Sequence, residues 1–153
     1  MPSSIVVGTD GSDTATKAVR EAVVMARALE ATLDIVSAYA PVSAAVQRRA
    51  AAHVRSGRMA PEDVQWALNP QEDIEACLTE AADIARAAGV NVNTYARQGD
   101  PADAILDVAQ EQDATLVIVG NKGMTGAKRF LMGSVPNNVA HQAPCTVMIV
   151  RTT

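Results

Sequence analysis

Two short segments carry residue types suited to holding a phosphorylated ligand. The first, Gly8-Thr9-Asp10-Gly11-Ser12, follows an apolar β-branched run. The second reads Gly120-Asn121-Lys122-Gly123-Met124-Thr125-Gly126-Ala127-Lys128-Arg129-Phe130-Leu131-Met132-Gly133-Ser134. Glycine lets main-chain N–H groups come close to phosphate oxygens, and the unpaired donors of a helix N-terminus add partial positive charge. Ser134 is placed to cap the helix that follows while its hydroxyl faces the same ligand. Each feature alone has a plainer explanation: a glycine serves an ordinary turn, Asp10 caps its own turn, and Lys122, Lys128 and Arg129 are solvated loop cations. The spacing of the set is more specific: Gly120, two residues, Gly123, nine residues, then Gly133-Ser134. Neither a GxxxxGK P-loop closed by Ser or Thr nor a GxGxxG dinucleotide fingerprint occurs.

For these segments to meet, both must leave the same edge of one sheet, and the chain's patterning supplies that sheet. Ser4 to Thr9 is a short apolar run stopped by Asp10-Gly11, a buried strand ending in a turn. Ser12 caps a helix with Asp13 in its first turn and Ala18, Val19, Ala22, Val23, Ala26 and Leu29 at helical spacing. Leu33 to Tyr39 reads as a second strand, Gln71 to Ala88 as a helix stopped by Gly89, and Val90 to Ala96 as a third strand. Asp100-Pro101 opens a helix whose stripe is Ala104, Ile105, Val108 and Ala109. Thr115 to Val119, Ser134 to Gln142 and Thr146 to Arg151 then read as strand, helix and strand. This alternation predicts an α/β fold: a single open parallel five-stranded sheet with helices on both faces. In such sheets ligands settle outside the carboxyl ends of the strands, where the strand order reverses. One domain is expected over residues 1–153, with a partly helical, mobile insertion at about 40–70.

Composition narrows the classes of function. The chain is 48% hydrophobic with one Phe, one Trp and two Tyr, so aliphatic residues and alanine must fill the core, as suits helices on a parallel sheet. A net charge of -4 without a large Lys/Arg cluster argues against nucleic acid as a partner. Apolar runs are far shorter than the roughly 20 residues of a membrane span, and no signal core opens the chain, so a cytoplasmic protein with no membrane partner is expected. Cys77 and Cys145 form no CxxC pair and share no metal-ligand spacing with His53 or His141, which predicts two reduced, buried thiols.

The glycine spacing resembles the ATP-binding signature of the universal stress protein family. The likeness extends from Ile5 to Ser12, similar to the family's first strand and acidic turn, to His141-Gln142-Ala143-Pro144-Cys145-Thr146-Val147, similar to its approach to the last strand. The resemblance implies a Rossmann-like, adenine nucleotide alpha-hydrolase-like fold, with Asp10 near the ribose, and Thr9 and the backbone around Ala38 at the base. Phosphates would meet Gly120, Gly123, Gly133, Ser134 and Val135, and with Gly8 and Asn121 these residues make up the candidate site. Pro136 departs from the pattern, standing where many ATP-binding members have Ser or Thr; it lacks both a hydroxyl and a backbone N–H. Gly133-Ser134-Val135-Pro136-Asn137-Asn138-Val139, with Gly120-Asn121, is similar to an actinobacterial subgroup known for binding cyclic AMP. ATP, with magnesium as its companion, and cyclic AMP therefore stand side by side as ligands. The resemblance further implies a homodimer through the C-terminal strand. Three roles stay open: a regulatory or nucleotide-buffering protein, a slow ATP hydrolase or phosphoryl-transfer enzyme, and a chaperone-like dimer with a vestigial site.

Overall fold

A computed structural model describes residues 3–39, 44–57, 70–121 and 133–152. The described residues form strands β1 (Ser4–Gly8), β2 (Thr32–Tyr39), β3 (Val92–Gln98), β4 (Leu116–Gly120) and β5 (Thr146–Val150). The helices are α1 (Asp13–Ala28), α2 (Ala44–Arg55), α3 (Pro70–Ala87), α4 (Pro101–Glu111) and α5 (Ser134–Gln142). The five strands lie in the order β3-β2-β1-β4-β5, and every pairing is parallel. The expected α/β architecture is therefore present. Of the expected 40–70 insertion, α2 is described; residues 40–43 and 58–69 lie outside the described residues.

Coverage on both faces explains why β1 is uninterrupted apolar sequence. Ile5 and Val7 face a layer made by α1 and α3, where Ala18, Val19, Ala22, Leu78 and Ala85 are buried. Val6 faces the opposite layer with Ala102, Ile105 and Val108 of α4 and Val139 of α5. Alanines along α1 and α4 leave room for the helix axes to approach the sheet, which a core with so few aromatics requires.

Strand β3 begins two residues later than the sequence suggested. The Val90 N–H donates to the Ala85 carbonyl at 3.0 Å, closing the end of α3, so that donor is not available to a sheet ladder. The expected pair of buried thiols is also corrected: Cys77 and Cys145 are free, as read, but only part-buried.

One charged side chain is embedded in the sheet. Asp34 on β2 is 1% exposed and accepts from Ser4 Oγ at 2.5 Å, Asn93 Nδ2 at 3.0 Å and Tyr95 Oη at 3.2 Å. Burial, reinforced by the Asp34 carboxylate, pushes the Tyr95 phenol above its ordinary pKa, as befits a hydroxyl serving as donor. The cluster ties β1, β2 and β3 together at the end of the sheet away from the strand carboxyl termini.

Candidate functional site

The chain runs outward through β1, β2 and β3, then crosses to β4 on the other side of β1, so the strand order reverses between β1 and β4. A cleft opens there, with about 650 Å³ of space including its mouth. Three local structures supply its chemistry.

The first is an apolar wall. Val36 and Ala38 of β2, Val119 of β4, and Pro101 and Ile105 of α4 line the cleft. The N-terminus of α4 offers little to an anion, because Asp100 Oδ1 already accepts from Ala102 N at 2.9 Å and Asp103 N at 3.2 Å, and Pro101 has no N–H. A flat aromatic base suits this wall better than a phosphate does.

The second is the turn after β1. Gly11 takes φ +81°, a conformation that favours glycine, and a Cβ there would also crowd Cys77 Sγ at 3.0 Å. The turn lets Asp10 Oδ1 accept from Ser12 N at 2.9 Å and Ser12 Oγ at 2.5 Å. Ser12 Oγ in turn accepts from Ala15 N at 3.1 Å, capping α1. Asp10 is exposed on the cleft, and its Oδ2 makes no hydrogen bond among the described residues. One oxygen thus orients the carboxylate while the other is left without a partner among the described residues, an arrangement suited to sugar hydroxyls. Thr9 is held from behind: its N–H donates to the Val36 carbonyl at 2.9 Å and its carbonyl accepts from Ser37 Oγ at 2.7 Å. Burial raises the Cys77 thiol pKa, with Asp10 and Glu80 adding to the effect and hydrogen bonding to Thr9 and Ser37 opposing it. Cys77 therefore packs beneath the turn as a neutral thiol.

The third is the N-terminus of α5. Gly133, not Ser134, occupies the cap position, and no side chain caps the helix, which corrects the expectation for Ser134. Ser134 is the first helical residue and is exposed. Gly133 has φ -60°, a backbone conformation open to any residue. The Ser134 and Val135 N–H groups have no acceptor among the described residues, Pro136 has none to give, and Asn137 N donates back to the Gly133 carbonyl at 3.2 Å. An uncapped helix start with two adjacent donors favours an anion.

Of the candidate residues, Gly8, Thr9, Asp10, Ala38, Gly120 and Val135 line the cleft. Gly133 and Ser134 form the turn into α5 beside Val135. Asn121 does not line it: its Oδ1 accepts from Thr152 instead. Gly123, like Lys122, Lys128 and Arg129, lies outside the described residues. Ala15, Val36, Pro101, Ile105 and Val119 also line the cleft, and sequence reasoning did not assign them to it. Pro101 carried a usable signal, since an Asp-Pro helix start directly after a strand puts a proline ring at the same sheet edge.

Residues 1–151 match the model of the universal stress protein family. The universal stress protein Rv1636 of Mycobacterium tuberculosis is 38% identical over 151 residues, covering 98% of this chain and 97% of the relative. A universal stress protein solved in complex with cAMP shares 35% identity at a TM-score of 0.70, covering 99% of this chain and 98% of that one. The universal stress protein from Archaeoglobus fulgidus in complex with dAMP shares 27% identity at a TM-score of 0.64, with 99% and 98% covered.

Proposed function

The chain belongs to the universal stress protein family, and on that premise we propose that its cleft binds an adenine nucleotide and that the protein acts as a regulatory or nucleotide-buffering domain. Adenine lies against Val36, Ala38, Pro101 and Ile105, the ribose hydroxyls face Asp10 Oδ2, and phosphate meets the N–H groups of Ser134 and Val135. The observation that carries this reading is the contrast between the two helix starts on the cleft: α4 is capped by Asp100 and closed by proline, whereas α5 has no side-chain cap. The capped start thus suits the base and the uncapped start the phosphate. The relatives solved with cAMP and with dAMP support the same class of ligand. Binding of this kind needs affinity and no catalytic base. Magnesium enters only with a triphosphate, since among the described residues no three His, Cys, Asp or Glu side chains cluster around a metal position.

Pro136 sets the preference within that class. It is buried, lines the cleft and removes the third donor of the α5 N-terminus. Extending the ligand from one phosphate to three gains little, so cyclic AMP binds at least as well as ATP. Pro136→Ser restores a donor and a hydroxyl and is expected to improve ATP affinity selectively. The gain is about tenfold to a hundredfold, the worth of one hydrogen bond to a charged group at roughly 1.5–3 kcal/mol. Competition titration against cyclic AMP measures this. Wild-type protein that strongly prefers ATP, with a ratio Pro136→Ser leaves alone, contradicts the assignment; protein that carries and binds no nucleotide returns the domain to a structural role.

The proposal includes a homodimer through β5. This strand closes one edge of the sheet, carries Val147, Met148, Ile149 and Val150, and leaves Ile149 39% exposed, a template for pairing with a second copy. Sedimentation equilibrium at micromolar concentration is expected to give twice the chain mass, and a monomer there rules the interface out.

A further inference from the structure

The side chain of Asn121 has a job the nucleotide reading does not use. Thr152, just beyond β5, is 3% exposed, and its N–H and Oγ–H both donate to Asn121 Oδ1 at 2.9 Å. Lys17 Nζ, from α1, donates to the Thr152 carbonyl at 3.1 Å. The main chain of Asn121 is engaged as well: its N–H donates to the Val150 carbonyl at 2.9 Å, and its carbonyl accepts from Gly133 N at 3.0 Å. One residue therefore joins the end of β4, the end of β5, the C-terminal tail and the first turn of α5.

The two sets of contacts have different consequences. Any residue but proline at 121 offers the main-chain bonds, so they do not explain asparagine. The side-chain oxygen is the acceptor for two donors on one nearly buried residue, and losing it strands both. With both satisfied, the peptide that holds Gly133 is fixed from the tail side, and Gly133 is the cap of α5, whose Val135 lines the cleft and whose first two N–H groups have no acceptor among the described residues.

Resting on the nucleotide reading above, we infer that the Lys17–Thr152–Asn121 tie positions the N-terminus of α5, so that the C-terminal tail of the chain regulates affinity for the nucleotide's phosphate. Asn121 and Thr152 are positioning residues and do not touch the ligand. Because coupling is reciprocal, bound nucleotide also steadies the tail.

The test uses the full chain, with cyclic AMP titrated by calorimetry and amide exchange followed in ligand-free protein. Asn121→Leu is expected to weaken binding about tenfold, roughly 1.4 kcal/mol, and to speed exchange at the Gly133 amide. Asn121→Asp keeps an acceptor oxygen and is expected to stay within about threefold of wild type with Gly133 exchange unchanged. Thr152→Val removes one of the two donors and falls between, and combining it with Asn121→Leu adds no further loss. Should Asn121→Leu fail to fold, Lys17→Met cuts the outer link from an exposed side chain and is expected to weaken binding in the same direction. Wild-type affinity in Asn121→Leu, or in Lys17→Met if that variant stands in, overturns the tie while leaving the nucleotide site intact. Equal loss in Asn121→Leu and Asn121→Asp overturns it in favour of direct contact between the Asn121 amide and the ligand. Wild-type protein that binds no cyclic AMP, AMP or ATP overturns the nucleotide reading and this regulation together.

Discussion

Gly8→Val is expected to lower nucleotide affinity a hundredfold or more while the chain still folds. A Cβ at Gly8 would stand 2.5 Å from Ile105 Cδ1 and 3.1 Å from Ile105 Cγ1, well inside the about 3.5–4.0 Å of favourable carbon contacts. Valine adds two further methyl groups at the same place. Ile105 is 3% exposed, so it cannot yield into its own core layer without overpacking it. The free direction is the cleft, which both residues line. The displaced side chain then occupies the position proposed for the base. Overpacking costs about 1–3 kcal/mol, tolerable against a typical stability of about 5–15 kcal/mol. Calorimetry with cyclic AMP and a thermal melt on the same sample separate the two effects. Adding Ile105→Ala to Gly8→Val restores room and is expected to recover much of the affinity. Undiminished binding by Gly8→Val would place the ligand somewhere other than over the end of β1.

Asp34→Ala carries the largest expected effect on stability. It removes the acceptor shared by Ser4, Asn93 and Tyr95 and leaves a gap at a residue 1% exposed. Ser4 and Tyr95 are part-buried and Asn93 is exposed, so water rescues some donors, and a cost of about 2–4 kcal/mol follows rather than the full sum for three stranded groups. For a chain of this size that lowers the melting temperature by roughly 5–15 °C. Nucleotide affinity is expected to stay close to wild type, since Asp34 and the cleft-lining Ala38 are four residues apart along β2, about 13 Å. Urea unfolding and calorimetry test both halves. An unchanged midpoint would show that the buried carboxylate contributes nothing net, as some buried charges do not.

Much of this protein was written in local pattern. The apolar runs of β1 and β4, the Ser12 and Asp100 caps and the alanine stripes each follow from interactions within a few residues, and those interactions determine elements wherever they occur. The glycine spacing and Asp10 pointed to the sheet edge where the cleft opens, because an open parallel sheet puts every strand's carboxyl end on one side. Gly123 falls outside the described residues, so its part in the site rests on the spacing alone.

What remained illegible depends on contacts between distant segments. Ile5 pairs with Leu116 and not with a strand adjacent in sequence, so the reversal that opens the cleft is a property of the whole sheet. Ile105 read as a core residue because periodicity marks the buried stripe of a helix and is silent on where that stripe runs past the sheet's edge. Ser134 read as a cap by type, but it is the first helical residue, and the cap position falls to Gly133, whose N–H donates to the Asn121 carbonyl. Asn121 itself read as a ligand contact, yet its oxygen turns to Thr152, 31 residues away in sequence. Sequence by itself determined the elements and the edge of the sheet, since these follow from neighbours along the chain. Tertiary structure alone decided which polar groups stay free for a ligand, because a donor or acceptor is free only after every distant partner has taken its place.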